Sequence, residues 1–120
     1  MLKVTTEQIG DLAIVECEGR IVLSDAAFRL RQAVTSQIDA RTVVLDLSEV
    51  SSIESGGLGM LVYLQHWAKD HDIRLKLFNP CKSVRNRLKE GGYREDFDIP
   101  KLDEMMDLLA QADRRYAAAA

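Results

Sequence analysis

Apolar residues along this chain fall into short blocks whose spacing switches between the period of a strand and that of a helix. Residues 3–9 and 12–18 read as two β-like segments around the turn-forming pair Gly10-Asp11. In the second, Ala13, Val15 and Cys17 alternate with Leu12, Ile14 and Glu16, which predicts burial on both faces at one end. Gly19-Arg20 leads to Ile21-Val22-Leu23, and Ser24 is a natural N-cap for a helix reaching about residue 38. Ala27, Leu30, Val34 and Ile38 lie along one side of that helix. The run Val43, Val44, Leu45, Leu47 has the length and β-branched content of one buried strand.

A polar connection follows that strand, and Ser55-Gly56-Gly57 opens an apolar helix. Ser55 stands at the N-cap, with two glycines behind it that bare the first backbone N–H groups. Such a start favours negative charge through those donors and the helix dipole. The helix carries two stripes. Leu58, Leu61, Val62 and Ala68 are spaced to face a core, and Met60, Tyr63, Leu64 and Trp67 form a second set on an adjoining face. The second stripe has the composition of a partner interface, unless both are buried.

Residues 73–78 form another strand, closed by Asn79-Pro80. A helix over about 81–90 turns Val84 and Leu88 inward and stops at Gly91-Gly92. Residues 97–99 suit a short edge strand, and Pro100 suits the entry of a last helix over about 101–115. Leu102, Met105, Met106 and Leu109 are its expected buried stripe. Strands alternating with helices after an opening hairpin imply right-handed crossovers. The expected fold is therefore α/β, with a mixed, mainly parallel sheet of four to five strands, an N-terminal β-hairpin and about four helices. No repeat or linker divides the chain, so residues 1–116 read as one domain and 117–120 as a disordered or appended tail.

At 120 residues the chain is long enough for one real core. The net charge of −3 argues against general nucleic-acid binding, because phosphate contacts need a basic surface. Lys82, Arg85, Arg87, Lys89 and Arg94 do gather, but acidic residues dilute them from Glu90 onward, and the run reads as a solvated helix face. The first residues, M-L-K-V-T-T-E-Q, hold no apolar signal core, and no run approaches the roughly 20 residues of a membrane span. The expected compartment is the cytoplasm, without membrane insertion. Cys17 and Cys81 make no disulfide framework. Cys17 reads as a small core residue, and Cys81 lies near a helix start that could lower its thiol pKa.

A search for enzyme chemistry returns little. His66 and His71 are five apart, which turns them to different helix faces and spoils paired metal ligation. Asp46, Glu49 and Glu54 cluster before Ser55, where complementarity to the helix dipole accounts for them. Gly56-Gly57-Leu58-Gly59 lacks the lysine and loop length of a nucleotide-phosphate cradle. The expectation is a chain that is no enzyme and needs no cofactor or metal.

The stretch V-V-L-D-L-S-E-V-S-S-I-E-S-G-G-L-G resembles the signature of STAS domains, the anti-sigma-factor antagonists of bacteria. That family's pattern is a buried strand ending in L-D-L, a loop, then D-S-x-G-L-G opening a helix. The likeness continues through L-K-L-F-N-P-C-K-S-V-R-N-R-L-K-E-G-G-Y and upstream to Gly19-Arg20-Ile21. It implies that Ser55 is the phosphorylation site of a partner switch. The unphosphorylated protein would bind an anti-sigma factor serine kinase and release a sigma factor. Phosphorylation by that kinase would break the complex, and a PPM-type serine phosphatase would reset it. Transcription is then regulated indirectly, as in a stress response. The sequence departs from the pattern at Glu54, where Asp is usual, at Gly56, where a second Ser is common, and at Val22, where many members have Asp; Asp25 follows a little later. The expected partner surface comprises Val22, Asp25, Glu54, Ser55, Gly56, Gly57, Met60, Tyr63, Leu64 and Trp67. The alternative is a constitutive STAS interaction module, such as a lipid-transport subunit or stress-signalling scaffold, in which Ser55 only caps a helix. The spare apolar stripe also leaves room for a homodimer.

Overall fold

The computed structural model of the chain describes residues 2–22, 25–93 and 96–119, with side chains for all of these except 25, 26 and 115–119. Strands β1 (Leu2–Ile9) and β2 (Leu12–Ile21) pair antiparallel across Gly10-Asp11, from Leu2 opposite Gly19 to Ile9 opposite Leu12. Helix α1 (Asp25–Thr35) carries the chain to β3 (Thr42–Ile53), which lies parallel to β2. Helix α2 (Ser55–Asp70) returns it to β4 (Arg74–Phe78), parallel to β3 on its other side. The strand order is β1-β2-β3-β4, and α3 (Lys82–Glu90) and α4 (Leu102–Ala119) complete the fold. The expected α/β architecture, hairpin and helix number are those observed.

Helices cover both faces of the sheet, which is what parallel strands need. On one face Val15, Val43, Leu45 and Leu77 belong to a core with Leu30 and Val34 of α1, Leu61 and Leu64 of α2, and Val84 and Leu88 of α3. On the other, Leu12 and Val44 belong to a smaller cluster with Met105 and Ala112 of α4. Leu12 and Ala13 are thus buried on opposite faces, as the mixed alternation in β2 predicts. The unbroken apolar run at the start of β3 has the same cause.

Several expected boundaries move. The polar connection after Leu47 is itself strand: β3 continues to Ile53 and carries two extra residues relative to β2, between Asp46 and Glu49 and between Val50 and Ser52. The edge strand at 97–99 reduces to a single parallel bridge between Lys76 and Asp98. Helix α1 stops at Thr35, leaving Ile38 63% exposed beyond it. In α4 the inward set is Met105, Leu108, Leu109 and Ala112; Leu102 and Met106 point outward at 66% and 58% exposure. That helix runs to Ala119, past the expected end near 115. The Ser24 cap, Leu23, Arg94 and Ala120 lie outside the described residues.

Candidate functional site

The head of α2 is assembled where three segments converge. The two bulges let the end of β3 keep step with β2, so that Ile53 lies opposite Ile21. Glu54 follows in extended conformation and donates its N–H to the Ile21 carbonyl at 3.0 Å. Its own carbonyl accepts the first helical bond, from Leu58 N–H at 2.8 Å. Glu54 is therefore the N-cap, and Ser55 is the first residue inside the helix, one place later than its residue type suggests. Among the described residues no side chain, that of Glu54 included, caps this end. The Glu54 carboxylate turns aside to Arg20, whose Nη2 lies 3.0 Å away.

With no capping bond to make, the Ser55 hydroxyl is exposed and accepts a hydrogen bond from Arg87 Nη2 at 3.3 Å. Arg87 Nε donates to the Ile53 carbonyl at 3.2 Å, so one half-buried guanidinium spans the end of β3 and the start of α2. Gly57, buried in the same first turn, packs directly on the end of β2. A Cβ there would sit 2.3 Å from the Ile21 carbonyl oxygen and 2.7 Å from its Cγ2. Gly56 is half-buried between them. The amides of this turn have no helical carbonyl ahead of them, and the dipole adds positive potential at the same place.

The family follows from the whole sequence: the chain matches the model of the STAS domain over residues 3–107. It belongs to the STAS domain family. No curated protein matches it. Among solved structures, the STAS domain resembles the anti-sigma factor antagonist SpoIIAA in its unphosphorylated form, with a TM-score of 0.74 and 17% identity over 91% of this chain and 97% of that one. SpoIIAA of Bacillus in the phosphorylated form gives a TM-score of 0.69 and 16% identity over 89% and 99%. An anti-sigma factor antagonist from Mycobacterium paratuberculosis gives 0.75 and 20% over 92% and 95%. SLC26A9 gives 0.69 and 19% over 89% of this chain but 21% of that one. At these identities the likeness is one of fold.

The STAS domain does not present the Met60/Tyr63/Leu64/Trp67 stripe as a surface. Met60 and Leu64 are core residues, because α2 is wedged against α1 on one side and the sheet on the other. Trp67 is half-buried against the same core and stacks on His71, with ring centroids 4.6 Å apart. Tyr63 alone of the four is exposed, at 42%. Its hydroxyl accepts from Arg31 Nη2 at 3.1 Å, and the Arg31 guanidinium carbon lies 4.5 Å from its ring centroid. Val22, half-buried, comes directly after Ile21 and so beside the Glu54 turn. Asp25 opens α1, and its side chain is outside the described set.

The acidic cluster also disperses. Asp46 accepts bonds from the N–H and hydroxyl of Ser48, and with Glu49 it lines a small pocket shared with Lys3, Glu16 and Glu18. Only Glu54 stays at the helix start. Cys17 is buried, and burial, reinforced by the charge of Asp46, pushes its thiol up from 9.0 to about 12. Cys81 is the N-cap of α3, with its Sγ 3.7 Å from the Ser51 carbonyl. Among the described residues no three His, Cys, Asp or Glu are placed to hold a metal, and no helix is long and apolar enough to cross a membrane. A groove of about 760 Å³ lies elsewhere, between α3 and residues 97–101, and none of the expected site residues lines it.

Two arginines of the site were not anticipated. Arg20 carries no role in the sequence beyond following Gly19 into Ile21-Val22-Leu23, and its ion pair spans 34 residues. Arg87 reads as one cation in a solvated run, a reading that holds for exposed Lys82, Arg85 and Lys89 but fails for Arg87. The signal was its position: three residues after Val84 and one before Leu88, both fully buried, Arg87 borders the inward face of α3.

Proposed function

We propose that this STAS domain is an anti-sigma factor antagonist that binds a serine-kinase anti-sigma factor in the cytoplasm, and that phosphorylation of Ser55 breaks the complex. A PPM-type phosphatase would reset it, and the domain would act throughout as ligand and substrate rather than catalyst. One observation carries the reading: Ser55 is exposed at the head of α2 with its hydroxyl unused for capping. A serine whose task was to cap this helix would accept a bond from an amide of the first turn. This one does not.

The charge arithmetic supports the switch. A phosphoryl group adds about −1.5 to −2 charges and three acceptor oxygens. Within the free domain that charge meets the helix dipole and Arg87, while Glu54 is already paired with Arg20. Under a partner it must be stripped of water, which costs several kcal/mol; about 4 kcal/mol is a thousandfold loss of affinity. The apolar part of the partner surface shifts from the expected stripe to the seam of α1 and α2. There exposed Phe28 lies one turn before Arg31, whose guanidinium sits over the ring of exposed Tyr63. Exposed aromatics with arginine are the composition that interfaces favour.

The constitutive-module reading draws support from the likeness to SLC26A9, where this fold occupies about a fifth of a longer chain. Parallel capture from source-cell lysate with Ser55→Ala and Ser55→Asp baits separates the two. Under the switch, an ATP-dependent serine kinase is held by the alanine bait and lost from the aspartate bait. With ATP it adds a phosphoryl group to wild type but none to Ser55→Ala. Equal recovery of the same protein on both baits would replace the switch with the module.

A further inference from the structure

We propose that Arg87 is an internal phosphate ligand: once Ser55 is phosphorylated, this guanidinium holds the phosphoryl group against the domain. The inference rests on Ser55 being the phosphorylated residue. Its geometry is already in place in the unmodified chain. Arg87 Nε is tied to the Ile53 carbonyl at 3.2 Å and Nη2 to the Ser55 oxygen at 3.3 Å, which fixes the plane of the guanidinium beside the atom that would be esterified. A guanidinium carries five N–H donors, and these two bonds use two of them. Arg87 makes no other hydrogen bond or ion pair among the described residues. The remaining N–H groups of Nη1 and Nη2 are therefore available to phosphoryl oxygens projecting from Oγ, in the forked arrangement that arginine favours with phosphate.

The neighbouring charges sharpen the assignment. Among the described residues, the charged side chains bonded at this corner are Glu54, Arg20 and Arg87. Arg20 is committed to Glu54, so among the described residues at this corner Arg87 is the cation left to answer the new charge. Arg87 is half-buried, but its contact with Ser55 lies at the surface, so the pairing weakens as salt rises. The bond would bridge α3 to the head of α2, so phosphorylation would tighten the domain. It would also pin the dianion at the partner-facing corner instead of letting it swing into solvent, and the phosphatase would have to displace Arg87 to reach it.

The test uses the full chain with phosphoserine installed at position 55 by genetic encoding, so that no kinase is required. The phosphorylated and unmodified proteins are each made with Arg87, Arg87→Lys and Arg87→Gln. Phosphorus NMR then follows the second ionisation of the phosphoserine, ordinarily near pH 6. With Arg87 the proton is bound about tenfold more weakly than in Arg87→Gln, a difference of about one pH unit, and Arg87→Lys lies between. Phosphorylation raises the thermal midpoint with Arg87 and fails to do so with Arg87→Gln; Glu54 and Arg20 are common to all six proteins and cancel. The same titration and the same midpoint change in the Arg and Gln backgrounds would overturn the proposal. Should Arg87→Gln not fold, the Arg87 side-chain N–H resonances of the wild type decide. They must move and exchange more slowly on phosphorylation, and unmoved resonances sink the idea. A clamp found together with equal recovery of one partner on the Ser55→Ala and Ser55→Asp baits would disprove the switch alone, and a partner lost from the aspartate bait without the clamp would disprove Arg87 alone.

Discussion

Replacing Gly57 by alanine tests the architecture of the site most directly, because the same helix supplies its own control. The added methyl would lie 2.3 Å from the Ile21 carbonyl oxygen, so helix and strand must part by at least about 0.7 Å to restore the 3.0 Å below which such contacts are not seen. Overpacking of this kind costs about 1–3 kcal/mol. Parting them also stretches the 3.0 Å bond from Glu54 N–H to that carbonyl, worth about 1 kcal/mol. Against this stands the better helix propensity of alanine, about 1 kcal/mol. The net loss is about 1–3 kcal/mol. Gly59, one residue beyond Leu58, has nothing within 4 Å of its notional Cβ, so Gly59→Ala keeps the propensity gain and stabilises by about 0.5–1 kcal/mol. Urea unfolding followed by Trp67 fluorescence reads both. With a slope of about 1–3 kcal/mol per molar urea, Gly57→Ala lowers the midpoint by about 1 M and Gly59→Ala raises it by a few tenths. If Gly57→Ala raised the midpoint as Gly59→Ala does, the close approach of α2 to β2 would be wrong, and with it the placement of Ser55.

Two further substitutions divide the apolar residues of α2. Met60→Ala removes a core side chain and costs about 2–5 kcal/mol, whereas Tyr63→Ala forfeits little beyond the Arg31 contact, about 0.5–1 kcal/mol. Thermal melts that ranked them in the opposite order would move Tyr63 into the core. Cys17 gives a pH dependence of definite sign. Its folded thiol keeps the proton to about pH 12, while the unfolded thiol releases it near 9.0. The unfolded chain therefore binds fewer protons above pH 9, and stability falls as pH rises toward 12, by at most about 1.4 kcal/mol per pH unit. Cys17→Ala should flatten that alkaline slope in denaturant midpoints taken from pH 8 to 11; an unaltered slope would assign it to other groups. In the native wild type a thiol reagent at pH 8 should modify half-buried Cys81 and spare Cys17 until the chain unfolds.

The sheet was legible because its strands are marked by simple means: two faces of burial at Val43, Val44 and Leu45, and turn chemistry at Gly10-Asp11 and Asn79-Pro80. What escaped notice was whatever broke a local period. The second half of β3 reads as a polar connection because its two extra residues disrupt the alternation that announces a strand. The stripe of α4 slips because the face turned to the sheet is set by Met105 and small Ala112, both buried, which leaves Leu102 and Met106 on the solvent side. At the site, local propensity named Ser55 as the cap, but the backbone bond that Glu54 donates to Ile21 of β2 places Glu54 there instead. Met60 and Leu64 share a helical face with Tyr63 on paper. Only the wedging of α2 decides which of them sees water.

The corner around Ser55 has an order of assembly. Its parts are Arg20 and Ile21 at the end of β2, Ile53 and Glu54 after β3, and Arg87 on α3, and no two of these three segments are neighbours in sequence. The hairpin closes over a two-residue turn, but the parallel pairing of β2 with β3 must first span α1, and such distant contacts form slowly. As the polypeptide emerges from the ribosome, residue 55 comes out ahead of residue 87, which lies 32 residues behind it. A nascent or damaged chain thus offers a bare serine in an unshaped loop, whereas the finished domain offers one already gripped by Arg87. An enzyme that recognises the assembled corner would by that fact modify only chains that have completed folding.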